Sequence, residues 1–405
     1  MTVRALTGNE AAAEAMRQIN PDVVAAYPIT PQTELMHAFS TVVADGAVNT
    51  EFVLVESEHS ALSAVVGAAA AGARAMTATS SQGLAYMFEV LHIASGLRLP
   101  IVMAVANRAL SAPINIHCDH SDSMSCRDTG WLQLYCENPQ EVYDNLLMAV
   151  RIAEHPDVLL PVMVCFDGFI VSHTMERVEV LEDEAVQRFV GECAPARFLL
   201  DLDHPVTVGP LYLPDHYFEH KVQEARAQVA ARPVIAAAAA EFAQLTGRRY
   251  EEVECYRMED AERALVLLGS TAGTAKEVVD DLRARGEKVG LVKVRVFRPF
   301  PDRTIAEALA HVHAVAVLDR AIAFGTAGGQ LGGEIRAALY GWERPPLYVN
   351  DIYGLGGRDI NPPQIAEIFH HLASALESGR MVEDTQYLGV RQGDQLKTLP
   401  ATEMR

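Results

Sequence analysis

Between Val23 and Phe166, apolar runs of strand length alternate with alanine-rich runs of helical period. Val23–Ala26, Phe52–Val55, Ala75–Thr79, Ile101–Ala106 and Leu159–Phe166 read as buried strands. Leu62, Val65, Val66 and Ala69 keep the i, i+3, i+4, i+7 spacing of a helix before Gly72 stops it, and Leu84, Met87, Phe88 and Leu91 do the same before Gly96. Strand followed by helix, repeated, implies an α/β fold whose parallel sheet is covered on both faces.

After Phe166 the alternation breaks. Val178 to Glu192 is polar and charged, and two helical runs follow, near Phe218 to Ala231 and Val234 to Leu245, with Pro233 expected to break them apart. Beyond a charged linker from Gly247 to Asp260, strands are expected at Ala264–Leu268, Val289–Val294, Ala314–Leu318 and Leu347–Val349, a second and smaller α/β unit. The expected division is 1–246, 247–379 and a tail 380–405 without periodicity, on the surface or laid across a neighbouring subunit. A length of 405 residues, half of them hydrophobic, suits two or three domains.

Charge narrows the partners. Lys and Arg total 33 against 53 Asp and Glu, and a net charge of -20 repels nucleic-acid backbones and anionic membranes. No apolar run reaches the ~18 residues of a membrane span, and Met1 to Glu10 does not form a secretory signal, so a cytoplasmic protein is expected. The six cysteines include no Cys-x-x-Cys pair and read as reduced thiols, which places any iron-sulfur centre on another chain.

In an open parallel sheet, ligands bind at the carboxyl ends of the strands. Tyr27-Pro-Ile-Thr-Pro31 follows the first expected strand as a stiff extended turn that holds Thr30 in place, or serves only as a turn. Glu58 follows the second, either complementing a helix dipole or poised for proton work. Thr79 to Gly83 follows the third, a polar-ligand cradle or an ordinary cap by Ser80 or Ser81. Arg108 ends the fourth, offering a planar fork to a carboxylate or closing a salt bridge. The nearby His117 to Asp122 loop lacks metal-motif spacing and reads better as polar lining. Convergence of Thr30, Glu58 and Arg108 on one sheet edge suggests a site for an anionic ligand beside an acid/base group. The glycines at 325–333 and 354–357 lack a Walker or GxGxxG pattern and read as tight turns and close packing.

Taken in order, Tyr27-Pro-Ile-Thr-Pro31, Glu56-Ser-Glu-His59, Thr77-Ala-Thr-Ser-Ser-Gln-Gly83, Ala106-Asn-Arg-Ala-Leu-Ser-Ala-Pro113, Asp167-Gly-Phe169, Arg298-Pro-Phe-Pro301 and Gly354-Leu-Gly-Gly-Arg-Asp359 resemble the α chain of the pyruvate:ferredoxin oxidoreductase family. The similarity runs from about Thr7 to Gly357. It implies a thiamine diphosphate-binding, pyrimidine-type parallel-sheet domain followed by a smaller transketolase C-terminal-like α/β domain. It also implies an enzyme that converts pyruvate and CoA to acetyl-CoA and CO2, passes electrons to ferredoxin, and runs in reverse as a pyruvate synthase. By the same resemblance Glu58 is the catalytic carboxyl at N1' of the cofactor's aminopyrimidine, Pro28 lies near the cofactor, and Thr30 and Arg108 contact the substrate. A β chain would hold the diphosphate and Mg2+, a δ chain the iron-sulfur clusters, and a γ chain would complete the assembly, leaving no metal ligand here. The sequence has no Gly-Asp-Gly turn, in keeping with half a cofactor site. The same chemistry on oxalate or another 2-oxoacid is the nearest alternative, and a non-catalytic scaffolding subunit the alternative of another class.

Overall fold

The computed structural model describes residues 1–380 and 385–391. Eight strands precede the long helix Pro214–Thr246: β1 (Thr2–Leu6), β2 (Val23–Ala26), β3 (Glu51–Leu54), β4 (Ala75–Thr79), β5 (Val102–Asn107), β6 (Leu132–Cys136), β7 (Val162–Asp167) and β8 (Glu176–Val180). After it come β9 (Val253–Tyr256), β10 (Arg263–Leu267), β11 (Val289–Val294), β12 (Val296–Arg298), β13 (Ala314–Asp319), β14 (Leu347–Ile352) and β15 (Thr385–Tyr387).

The first sheet has the order β12-β6-β7-β5-β4-β2-β3, and its strands run parallel apart from β12. Strands β4, β5 and β7 are buried along their whole length, the condition that makes near-continuous apolar runs necessary. The chain moves from β2 outward to β3, then crosses back past β2 to β4. That reversal opens a crevice at the carboxyl ends of β2 and β4, where such sheets bind ligands. The second sheet, β15-β14-β13-β10-β11-β9, is parallel except for β9. Strands β1 and β8 form a separate antiparallel ribbon.

One apolar core joins the two sheets. It takes Leu62, Leu84, Leu91, Met103, Trp131 and Tyr135 from the first unit and Val266, Val292, Phe297, Val317, Leu331 and Ile335 from the second. Buried charges reinforce the joint. Lys293 on β11 sits 2.6 Å from Glu137, 2.5 Å from Glu141 and 3.2 Å from Glu254. Burial lowers the Lys293 pKa, but those three carboxylates outweigh it and hold the ammonium charged.

The structure departs from the sequence reading in several places. Pro233 lies inside one continuous helix, Pro214–Thr246. Its ring removes the bond to the Val229 carbonyl, but Val229 and Pro233 are both exposed, so water can satisfy that oxygen while Ala227, Ala231, Ile235 and Phe242 stay packed on the opposite face. The linker Gly247 to Asp260 contains strand β9, and the polar stretch Val178 to Glu192 contains part of β8 and the helix Asp183–Val190. In the tail, Thr385–Tyr387 adds to the second sheet beside β14, while residues 381–384 and 392–405 lie outside the described residues. Finally, β12 comes from the second half of the chain yet pairs with β6 of the first sheet.

Candidate active site

Four strand ends meet at the crevice. The turn after β2 is held from below: Gln32, fully buried, accepts from the Ile29 amide at 3.1 Å and donates to the Ala78 carbonyl at 3.0 Å, while Asn9 donates to the Pro31 carbonyl at 2.9 Å. Pro28 and Thr30 stay exposed above these anchors. Arg108 reaches across from β5, donating through Nη1 to the Thr30 carbonyl at 3.0 Å and through Nε to the Asn115 carbonyl at 3.1 Å. Burial lowers its pKa, the cost of placing a guanidinium at 6% exposure. Thr30 and Arg108 are thus in contact, through the threonine's main chain.

Glu58 opens the helix Glu58–Ala70 after β3, where Ser57 caps the helix by accepting from the Ser60 amide. Only 8% exposed, it faces the end of β4, where its Oε1 crowds Gly83 beside the Thr79 hydroxyl. Thr79 Oγ1 and Ser80 Oγ are both buried without a hydrogen-bond partner among the described residues. Unpaired polar atoms at one strand end mark a place where a ligand can complete the bonding.

The residue that ties these loops together is Asp122, which sequence reading left inside a polar loop. Its carboxylate accepts from the Ser81 amide at 2.9 Å, the Arg108 amide at 3.0 Å, Asn107 Nδ2 at 2.8 Å and the Ser123 amide at 2.7 Å. Burial pushes the carboxyl up to about 6 against the pull of its donors. The Ser81 amide, open to an anion in the sequence, is therefore taken by Asp122. Ser80 holds the cap position without a side-chain bond. No spacing marks Asp122, because apart from the adjacent Ser123 amide its donors come from the end of β5 and the start of the helix after β4, which only the fold brings to it.

Beside the crevice, Asp167 at the end of β7 binds His120 at 2.7 Å, Arg320 at 2.8 Å and the Ser270 hydroxyl at 2.5 Å. Burial would raise its pKa, but His120 and Arg320 prevail and hold it well below the usual carboxylate range. Cys118, His120 and Asp167 are close enough for a metal, as are Glu137, Glu141 and Glu254. Arg320 already neutralises the first group and Lys293 the second, so neither presents an uncompensated anionic cage. The glycine segments serve packing. Asp319 accepts from the Leu331 and Gly332 amides at 2.9 and 2.8 Å, satisfying that helix start from within, and the positive φ of Gly356 and Gly357 lets their loop close onto Asn115 and His117.

A family model described as pyruvate flavodoxin/ferredoxin oxidoreductase, thiamine diphosphate-binding, matches residues 14–240, and one for pyruvate:ferredoxin oxidoreductase core domain II matches 261–365. The chain belongs to the pyruvate:ferredoxin oxidoreductase family. It is 56% identical to the pyruvate synthase subunit PorA of Thermotoga maritima, covering 96% of this chain and 98% of that one. It is also 44% identical to the ketoisovalerate oxidoreductase subunit VorA of Pyrococcus abyssi, covering 95% and 97%. The solved 2-oxoglutarate:ferredoxin oxidoreductase of Magnetococcus marinus shares the fold at TM-score 0.71 and 22% identity, over 91% of this chain and 65% of that chain. The expected α/β fold, a thiamine diphosphate-binding parallel-sheet unit followed by a smaller α/β unit, holds. Among the described residues no helix is long and apolar enough to cross a membrane.

Proposed function

We propose that this chain is the α subunit of a cytoplasmic, heteromeric pyruvate:ferredoxin oxidoreductase, acting on pyruvate and CoA with thiamine diphosphate held between it and a partner chain. The observation that carries this reading is a buried carboxylate, Glu58, set beside the unpaired buried hydroxyl of Thr79 at the switch point of a sheet belonging to this family. These groups fit the polar edge of an aminopyrimidine: a carboxyl to exchange a proton with a ring nitrogen, beside a hydroxyl whose bonding capacity is still unused. When bound, thiamine diphosphate supplies the nucleophilic carbon and the electron sink for decarboxylation.

The chain's own residues then do the following. Glu58 holds or releases a proton at its carboxyl oxygens. Arg108 binds the 2-oxoacid carboxylate with Nη2, which has no hydrogen-bond partner among the described residues. Thr30, fixed through its carbonyl, turns its hydroxyl toward a substrate oxygen, and Pro28 stiffens the turn beneath the cofactor. Residues 1–246 carry this half-site and 247–379 brace it. A β chain grips the diphosphate and Mg2+, a δ chain carries iron-sulfur clusters to ferredoxin, and a γ chain completes the complex.

The test is co-production with the partner chains, followed by viologen dye reduction with thiamine diphosphate, Mg2+, CoA and a panel of 2-oxoacids. Pyruvate should give the highest kcat/KM and acetyl-CoA the product. The similarity to the VorA subunit favours one second reading, a branched 2-oxoacid, and a higher kcat/KM for ketoisovalerate would select it. Glu58→Gln should lower kcat by about 10²-fold or more in the assembled enzyme. Unchanged turnover would instead leave the chain a scaffold.

A further inference from the structure

The helix Ser81–Tyr86 after β4 carries Gly83. Its backbone does not require glycine, since Gly83 is not among the residues of positive φ. In a helix, glycine is less favourable than alanine because it gives up more backbone freedom. Space requires it instead. A Cβ built on Gly83 would stand 2.7 Å from Glu58 Oε1, 2.9 Å from Glu58 Cγ, and nearer still to Thr79 Oγ1. Carboxylate and hydroxyl share the room of one missing methyl group. Thr79 is wholly buried and its Oγ1 is unpaired among the described residues, a state that leaves its desolvation uncompensated. Two locally unfavourable choices, a helical glycine and an orphan hydroxyl, therefore border the same carboxylate. Valine would fill the Thr79 position without an unpaired oxygen, and alanine would strengthen the helix.

We propose that Gly83 and Thr79 are positioning residues that fix where the Glu58 carboxylate stands, Gly83 by leaving space for it and Thr79 by donating its hydroxyl to it once the cofactor is seated. The inference rests on the assignment of Glu58 above. Gly83→Ala, Thr79→Val and Thr79→Ser would be made in the full chain and co-produced with the partner chains, with Glu58→Gln alongside. Thermal midpoint, thiamine diphosphate Kd, kcat and KM for pyruvate would be measured for each. For Gly83→Ala the midpoint should fall only slightly, because the gain in helix propensity offsets part of the crowding, while kcat should fall about 30-fold or more, KM should stay within about threefold, and the thiamine diphosphate Kd should weaken about tenfold. For Thr79→Val the midpoint should hold and kcat fall about tenfold, and Thr79→Ser should restore most of the loss.

Gly83→Ala with kcat and cofactor Kd within about twofold of the parent would overturn the proposal, as would a loss of activity fully accounted for by unfolded enzyme at the assay temperature. An inactive Glu58→Gln beside normal Gly83→Ala and Thr79→Val would sink the positioning role alone. A fully active Glu58→Gln would remove the assignment of Glu58 and the positioning role together.

Discussion

Arg108, singled out at a strand end, is held in a defined geometry. Two of its guanidinium nitrogens are committed to the Asn115 and Thr30 carbonyls, which fixes the plane of the fork and spares it the entropy that a free side chain would lose on binding. Arg108→Ala should weaken kcat/KM for pyruvate by about 2 to 5 kcal/mol, as expected for one partner of a desolvated charge pair. Steady-state kinetics of the assembled enzyme checks this, and unaltered parameters for every 2-oxoacid would make Arg108 a purely structural clamp. That Thr30, Glu58 and Arg108 stand at strand ends was legible in the sequence because each comes within a few residues of an apolar run, while their roles are the proposal made above. Asp122 and the space at Gly83 were not legible, since both are defined by neighbours that only the folded chain assembles.

Strands repeat the same lesson. Those buried on both faces, such as β4, β5 and β13, were readable as apolar runs. The ribbon strand β1, the short β12 and the edge strand β15 have little apolar periodicity, and their pairing is decided by tertiary contacts. Strand β14 holds an exception of its own. Asp351 sits in it at 1% exposure, with Oδ1 unpaired among the described residues, and burial pushes its carboxyl up to about 7 from 3.8. Because the folded value lies above the ordinary one, the folded protein holds this proton more tightly. The group's stabilising contribution is complete below about pH 4 and is lost as pH rises through 7. Asp351→Asn should therefore stabilise the chain at pH 8 by up to about 4 kcal/mol, a gain that shrinks toward pH 5. Denaturant melts at the two pH values would show it, and equal stability of both proteins at pH 8 would mean that the carboxylate is compensated.

Across the molecule, the two sheets are joined by a shared core and by buried charge. Lys293→Met would leave the buried Glu141 without its ion pair and Glu137 and Glu254 with Lys276 alone, and should cost about 3 to 5 kcal/mol, read as a lower thermal midpoint. The half-site also predicts that the purified chain alone shows no tight, stoichiometric uptake of thiamine diphosphate by calorimetry, and that the partner chain restores it. The network at Asp167 carries the remaining consequence. It links the ends of β7, β10 and β13 through Ser270 and Arg320, where the carboxyl edges of both sheets meet. A hinge between the two units would have to tear that buried ion pair apart, so this polypeptide works as a fixed jaw. Any movement that admits a ligand to the crevice therefore has to be something other than a swing of one unit against the other.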